Sequence, residues 1–274
     1  MSNLLYHRIT RFINYYYKAQ TIYNIHSPYL FALLSRMMDR NINYYDFENL
    51  HDLREYFKRQ KLRFSGEDPG AGSSIPGDNR SIRKIMKHAV SPAWKSEVFY
   101  RLLEFYQPKK ILELGTSLGL NTLYLAHSNP DITVITIEGN PEIHRFASTL
   151  FKRLKMQNIT AVCGNIDDHL ESILQSDPDI NCIIMDANHR LEPTLSYFEL
   201  IKKHLSPGLV IMDDIHWSPG MTEAWNKCRS EGNFNVDIDF YYFGLLLKST
   251  QIKTRESFSF IPHRYKPWQS GFFN

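Results

Sequence analysis

Residues 111–126 read ILELGTSLGLNTLYLA, and this stretch decides the fold. A β-branched and leucine run ends in the acidic Glu113. Gly115 and Gly119 follow, four apart, and then Leu120, Leu123, Tyr124 and Ala126 recur at helical spacing. The pattern predicts a strand, a tight turn and a helix start, the geometry by which an open α/β sheet holds a nucleotide-like ligand. Gly115 opens dihedrals closed to other residues, Gly119 lets backbone approach a ligand, and the first N–H groups of the helix suit an anionic group. The spacing is not the G-x-G-x-x-G of dinucleotide binders, and no Lys-Ser/Thr pair follows as in a P-loop.

Outward from this stretch, strands and helices alternate. Strands are expected at 132–138, 159–164, 180–186 and 209–213, and helices at 141–155, 166–175, 193–205 and 221–231. That rhythm implies a parallel sheet with crossover helices. The end breaks it: 234–241 and 243–248 are two strands with only a tight connection, so they must be antiparallel. The fold class is therefore α/β, a doubly wound, Rossmann-like sheet of seven strands closed by an antiparallel hairpin, preceded by a helical cap.

With this hairpin, the ELGTSLG segment resembles the first motif of class I S-adenosylmethionine (SAM) methyltransferases, in the form met in metal-dependent O-methyltransferases. The resemblance covers roughly residues 91–248. A strand-end carboxylate would repel a pyrophosphate and suits the ammonium of a methionine moiety, which places Glu113 in the cofactor set with Gly115, Thr116, Ser117, Gly119 and Thr122. Glu138, ending the second strand 25 positions after Glu113, would accept hydrogen bonds from the ribose diol, with Gly139 and Asn140 beside it. At the third strand end the resemblance implies adenine contacts from Asn165 and Ile166; Asp167 is either an acceptor for the adenine amine or a helix cap.

Asp186 ends the fourth strand, and Asp213 and Asp214 end the fifth. Three carboxylates gathered at the ligand edge of a sheet repel one another unless a cation neutralises them, and hard oxygen ligands suit Mg²⁺ best. The resemblance assigns Asp186, Asp213 and Asp214 to a divalent metal, and Asp186 also to the cofactor pocket. Catechol and caffeoyl-CoA enzymes carry lysine three residues after the first Asp. This chain has His189 there, as in macrocin- and mycinamicin-type sugar O-methyltransferases, where a histidine is the general base. The implied activity is methyl transfer to a hydroxyl of a small molecule or sugar. His216, Trp217, Tyr265 and Trp268 are further candidates for the acceptor pocket. Two alternatives remain: a metal-independent N-methyltransferase acting on RNA, and a non-catalytic SAM-binding module.

The rest of the chain bounds these readings. Its 274 residues are 43% hydrophobic and 14% aromatic, which is globular composition with ample length for a core. The net charge of +3 divides into +6 over residues 1–90, −7 over 91–247 and +4 over 248–274. A basic arm and tail flank an acidic core, which favours their clamping onto it over nucleic-acid binding. Three cysteines without metal-type spacing, no membrane-length apolar run and no signal-peptide core point to the cytoplasm. A homo-oligomer is compatible with all of this.

Three domains are expected: an arm or cap at 1–90, the SAM-binding domain at 91–250 and a tail at 251–274 packing on the core. Within the arm, apolar Leu5, Ile9, Phe12, Ile13 and Tyr16 form a helical stripe, Ser27-Pro28 opens a second helix, and a third covers 46–63. Residues 67–80, rich in glycine and proline, are a candidate lid or a linker.

Overall fold

The computed structural model describes residues 2–65, 80–205 and 207–269. Of the expected lid or linker at 67–80, all but Arg80 lies outside the described residues. By compactness the chain divides into Arg36–Ile180 and a second unit that joins Met1–Ser35 to Asn181–Asn274. The division runs across the 1–90 arm.

The second unit begins with α1 (Ser2–Lys18), and the division falls inside α2 (Pro28–Met38). Helix α2 starts where Ser27-Pro28 indicates, with the Ser27 Oγ accepting the Leu30 N–H at 3.4 Å.

Within Arg36–Ile180, α3 (Tyr45–Arg59) ends earlier than expected, because 63–64 leave the helix to pair. There β1 (Arg63–Phe64) meets β2 (Arg80–Ser81) antiparallel, and Ser81 then caps the short α4 (Ile82–His88). After α5 (Ala93–Tyr106) come β3 (Lys110–Leu114), α6 (Leu120–His127), β4 (Thr133–Glu138), α7 (Pro141–Arg153), β5 (Ile159–Cys163) and α8 (Ile166–Ser176). The three long strands run parallel in the order β3-β4-β5. Strand β3 is buried on both faces, as a strand covered by helices on each side must be. Phe47, Leu50, Tyr100, Leu123, Tyr124, Ala147 and Phe151 form one core cluster of this unit.

The second unit continues with β6 (Ile180–Met185), α9 (Leu191–His204), β7 (Gly208–Asp213), α10 (Pro219–Glu231), β8 (Val236–Asp239) and β9 (Phe243–Lys248). Strands β6 and β7 are parallel, and β9 lies between β7 and β8, antiparallel to both. The expected hairpin is present. The tail adds a strand that the sequence reading lacks: β10 (Glu256–Ser259) pairs parallel with β8. Its alternation buries Phe258 and then Phe260, a signal too short to read in isolation. Among the described residues β3 to β10 and their crossover helices give an α/β, Rossmann-like fold, with eight strands where seven were expected.

All three cysteines are free, and Cys163 is exposed. It ends β5, the last strand of its parallel set. Among the described residues no helix is long and apolar enough to cross a membrane.

Gly119 shows what the organising turn requires. It caps α6 at φ +79°, and a Cβ there would meet the Phe151 ring at 2.7 Å and the Ala147 methyl at 3.3 Å. Helix packing, as well as dihedral freedom, demands glycine here. Gly119→Ala should cost about 1–3 kcal/mol in denaturant unfolding. Phe151→Leu in the same chain should recover the packing part of that loss and leave the dihedral part; strict additivity of the two substitutions would refute the clash.

Candidate functional site

The site is built from strand ends, where crossover geometry leaves backbone and short side chains turned toward a ligand. In Arg36–Ile180 the turn after β3 is held from the neighbouring strand. The N–H groups of Gly115 and Thr116 both donate to the Ile137 carbonyl at 3.1 Å. Gly115 has φ +104°, and Ser117 is also left-handed at φ +49°. A non-glycine residue in that region costs energy and marks a turn held by its surroundings.

Beneath the turn sits Glu113, wholly buried. Its carboxylate accepts from Asn121 Nδ2 at 2.9 Å, Thr122 Oγ1 at 2.5 Å and Thr136 Oγ1 at 2.7 Å. Thr136 Oγ1 also lies 2.6 Å from Thr116 Oγ1. With Glu113 ionised, Thr136 gives its one proton to the carboxylate, so Thr116 donates to Thr136. Glu113 and Thr122, assigned by resemblance to the cofactor, thus spend these bonds on each other and on the turn. Sequence reading missed Asn121 and Thr136. A threonine in a strand and an asparagine in a helix carry no mark of the buried acid between them. Burial drives the Glu113 carboxyl up to about 7, against three hydrogen bonds that favour its ionised form.

Glu138 ties two turns together. Its Oε2 accepts the Ser117 N–H at 2.8 Å and its Oε1 the Asn140 N–H at 2.9 Å. Gly139, half-buried, lies between Glu138 and Asn140. Asn140 caps α7: its Oδ1 accepts from the Glu142 and Ile143 N–H groups, and its Nδ2 donates to the Ser65 carbonyl. That side chain is committed to structure. Asn165 stands at the start of α8 without a side-chain capping bond, beside buried Ile166. Asp167 lies exposed in the first turn of that helix.

In the second unit, Asp186 follows β6 and leads into a strained turn, with Asn188 at φ +65° and His189 at φ +26°. His189 Nε2 lies 3.5 Å from Asp186 Oδ1, while His189 Nδ1 is buried with no hydrogen-bond partner. Burial alone would lower the imidazole's pKa. The Asp186 hydrogen bond and charge, with the charges of Asp214 and Asp213, outweigh it and push the group up to about 9. Asp213 is buried at the end of β7, and its Oδ1 accepts the N–H of Asp214, itself left-handed at φ +53°.

These carboxylates have the hard-oxygen chemistry of a Mg²⁺ site. Yet among the described residues no group of three or more His, Cys, Asp or Glu is arranged to hold a metal ion. The charges of all three acids bear instead on the His189 imidazole.

His216 is buried, with Nδ1 3.0 Å from Thr222 Oγ1 and Nε2 2.9 Å from Asp239 Oδ2. Trp217, half exposed, stacks under the Arg8 guanidinium at 3.6 Å. Tyr265 and Trp268 are exposed, both against Tyr16 of α1: the Tyr265 carbonyl accepts the Tyr16 hydroxyl at 2.9 Å, and the Trp268 ring lies 6.5 Å from the Tyr16 ring.

The raised Glu113 pKa makes a stability prediction. The folded chain binds this proton more tightly than the unfolded chain, so the contribution is full below about pH 4.5 and is lost as pH rises through 7. At pH 8 the buried charge costs on the order of 3 kcal/mol. Glu113→Gln should flatten the fall in unfolding free energy between pH 5 and pH 8; an unchanged pH profile would refute it.

Residues 112–215 match a family model described as a methyltransferase domain. The fold is also that of solved methyltransferases. The O-methyltransferase TomG from Streptomyces achromogenes, in complex with SAM, aligns at a TM-score of 0.51 and 17% identity, over 75% of this chain and 100% of that one. An O-methyltransferase from Bacillus cereus in complex with SAH aligns at 0.53 and 17% identity, over 79% and 96%. Cofactor-bound Rv0187 from MTB aligns at 0.55 and 14% identity, over 82% and 98%. The strand-end turns described above lie within the residues that match this methyltransferase-domain model, in a fold shared with these solved structures.

Proposed function

We propose that the chain transfers the methyl group of SAM to a hydroxyl oxygen of a small molecule or sugar. The observation that carries the oxygen assignment is His189, whose Nε2 is held by Asp186 while Nδ1 is buried and unpartnered. A histidine oriented by a carboxylate at one nitrogen presents the other as a base. The donor is supported by two similar O-methyltransferase structures that hold SAM and SAH.

On this reading the turn from Gly115 to Gly119, with Thr116 and Ser117, faces the methionine end of the cofactor. Glu138 and Gly139 face its ribose, and Asn165 and Ile166 its adenine. A carboxylate can accept up to about four hydrogen bonds, so a ribose diol can share Glu138 with the two backbone donors. The sulfonium already activates the methyl, which leaves alignment and proton removal to the protein. His189 Nδ1 takes the hydroxyl proton, and Asp186 stabilises the resulting imidazolium.

A second reading adds a divalent cation, magnesium by preference. It is favoured by one observation, that the charges of Asp186, Asp213 and Asp214 all bear on the same imidazole. Exhaustive chelation separates the two. Activity survives on the first reading; on the second it is abolished while SAM binding remains.

Two further outcomes are expected. Glu138→Ala should weaken SAM binding by about 1 kcal/mol or more in titration calorimetry, and unchanged affinity would remove Glu138 from the ribose role. His189 must be neutral to act as a base, and its pKa is about 9. Accordingly kcat/KM should rise about tenfold per pH unit from neutrality and level off near pH 9. His189→Ala should cost about 10²- to 10⁴-fold near neutral pH, a loss that shrinks as the acceptor ionises unaided. A wild-type profile already flat above pH 7 would exclude His189 as the base.

A further inference from the structure

Between α1 and α10, both in the second unit, lies a cavity of about 430 Å³. His7 and Arg11 reach it from α1, four apart and so on one face of that helix. Thr222, Asn226 and Ser230 reach it from α10 at the same spacing, with Lys227 beside them. These six side chains are polar, where the facing sides of two neighbouring helices are usually apolar.

The walls are tied together at depth. The hydroxyl of buried Thr222 lies 3.1 Å from His7 Nε2 and 3.0 Å from His216 Nδ1, and His216 Nε2 lies 2.9 Å from Asp239 Oδ2. This chain of bonds joins α1 to α10 and to the end of β8, so the cavity is a formed feature of the unit.

The charge inside it is unbalanced. Arg8 is taken up by the carbonyl and ring of Trp217, and Arg229 and Arg255 by Asp237. Arg11 is half-buried, and among the described residues no acceptor or ring meets its guanidinium. Among the same residues the one carboxylate lining the cavity is Glu223, whose Oε1 pairs with Lys227 Nζ at 2.9 Å. That pairing leaves the charge of Arg11 uncompensated. Burial first, and then the charge of Arg11, hold the His7 imidazole below its ordinary pKa, so the field of the guanidinium is felt across the cavity.

The donors indicate which anion fits. A guanidinium presents a planar fork that matches phosphate oxygens, and an ammonium binds the same group as a point charge. The Asn226 amide and Ser230 hydroxyl add neutral donors. Donors converging from two helices suit a tetrahedral group, whose oxygens point several ways, better than a flat carboxylate. The volume exceeds what a lone ion needs: a water takes about 30 Å³, and small-molecule sites span about 300–1,000 Å³.

We infer that this cavity binds a phosphoryl group, borne by a small ester or free as the ion, through Arg11 and Lys227 with Asn226 and Ser230. None of these four residues is assigned to the cofactor, the acceptor or a metal, so the site stands apart from those assignments.

Titration calorimetry on the full chain at fixed ionic strength tests this with inorganic phosphate, glucose 6-phosphate and glucose. Phosphate should bind and glucose should not. Arg11→Gln and Lys227→Gln should each weaken phosphate binding about tenfold or more, with unchanged circular dichroism. Glu223→Gln, at an exposed position, removes the opposing charge and should tighten binding about two- to fivefold. Glucose 6-phosphate binding tighter than the ion assigns the rest of the cavity to the body of an ester; an ion at least as tight makes free phosphate the ligand. Neither phosphate binding at millimolar concentration would overturn the inference. So would phosphate binding that survives both glutamine substitutions undiminished, or that Glu223→Gln leaves unchanged.

Discussion

One buried carboxylate organises the first half of the site. Glu113 is placed by β3 where no water reaches it, and it remains tolerable there because Asn121, Thr122 and Thr136 supply hydrogen bonds from α6 and β4. Those bonds join three consecutive elements directly beneath the Gly115 turn. An unpaired charge at that depth would cost several kcal/mol; a paired one acts as a staple. Thr116, reached through Thr136, extends the staple into the turn itself. The conformation of the Gly115 turn is therefore set from inside the protein, which is preorganisation in its literal sense.

Glu138 repeats the device one strand further on, at the surface. By accepting N–H groups from Ser117 and Asn140 it couples the turns that follow β3 and β4. The second unit solves a different problem. Its strand ends collect three carboxylates around one imidazole, and the backbone at Asn188, His189 and Asp214 is held in left-handed conformations that such residues seldom adopt. Strain concentrated beside titratable groups is a mark of a site shaped for chemistry rather than for stability. An imidazole surrounded by acids becomes a stronger base, at the expense of being mostly protonated near neutral pH.

The basic arm shows how charge and hydrophobicity can divide their tasks on one helix. Arg8 and His7 of α1 are turned inward, onto Trp217 and Thr222. Lys266 satisfies carbonyls at the helix end. Tyr15 and Ala19 pack with Ile261, while Leu5, Ile9 and Ile13 stay exposed.

Much of this was legible in the chain. The run from Ile111 to Ala126, the strand-helix rhythm after it and the closing hairpin give the fold class, because periodicities of two and 3.6 are local properties of sequence. The strand ends that carry Glu138, Asn165, Asp186, His189 and Asp213 could be located for the same reason. Helical periodicity also found the stripe of α1, but not the direction it faces, since an amphipathic pattern has two sides and only the rest of the fold chooses between them. The partners of Glu113 and the engagement of Asn140 in a cap and a bond to Ser65 were likewise beyond the sequence. So was the placing of Phe151 against Gly119. Each depends on residues brought together across many positions of chain, and side-chain chemistry at one position does not specify which distant group will meet it. The sequence determined where the chemistry-bearing residues fall along strands and turns; tertiary packing alone decided which of them hold the scaffold and which are left to act.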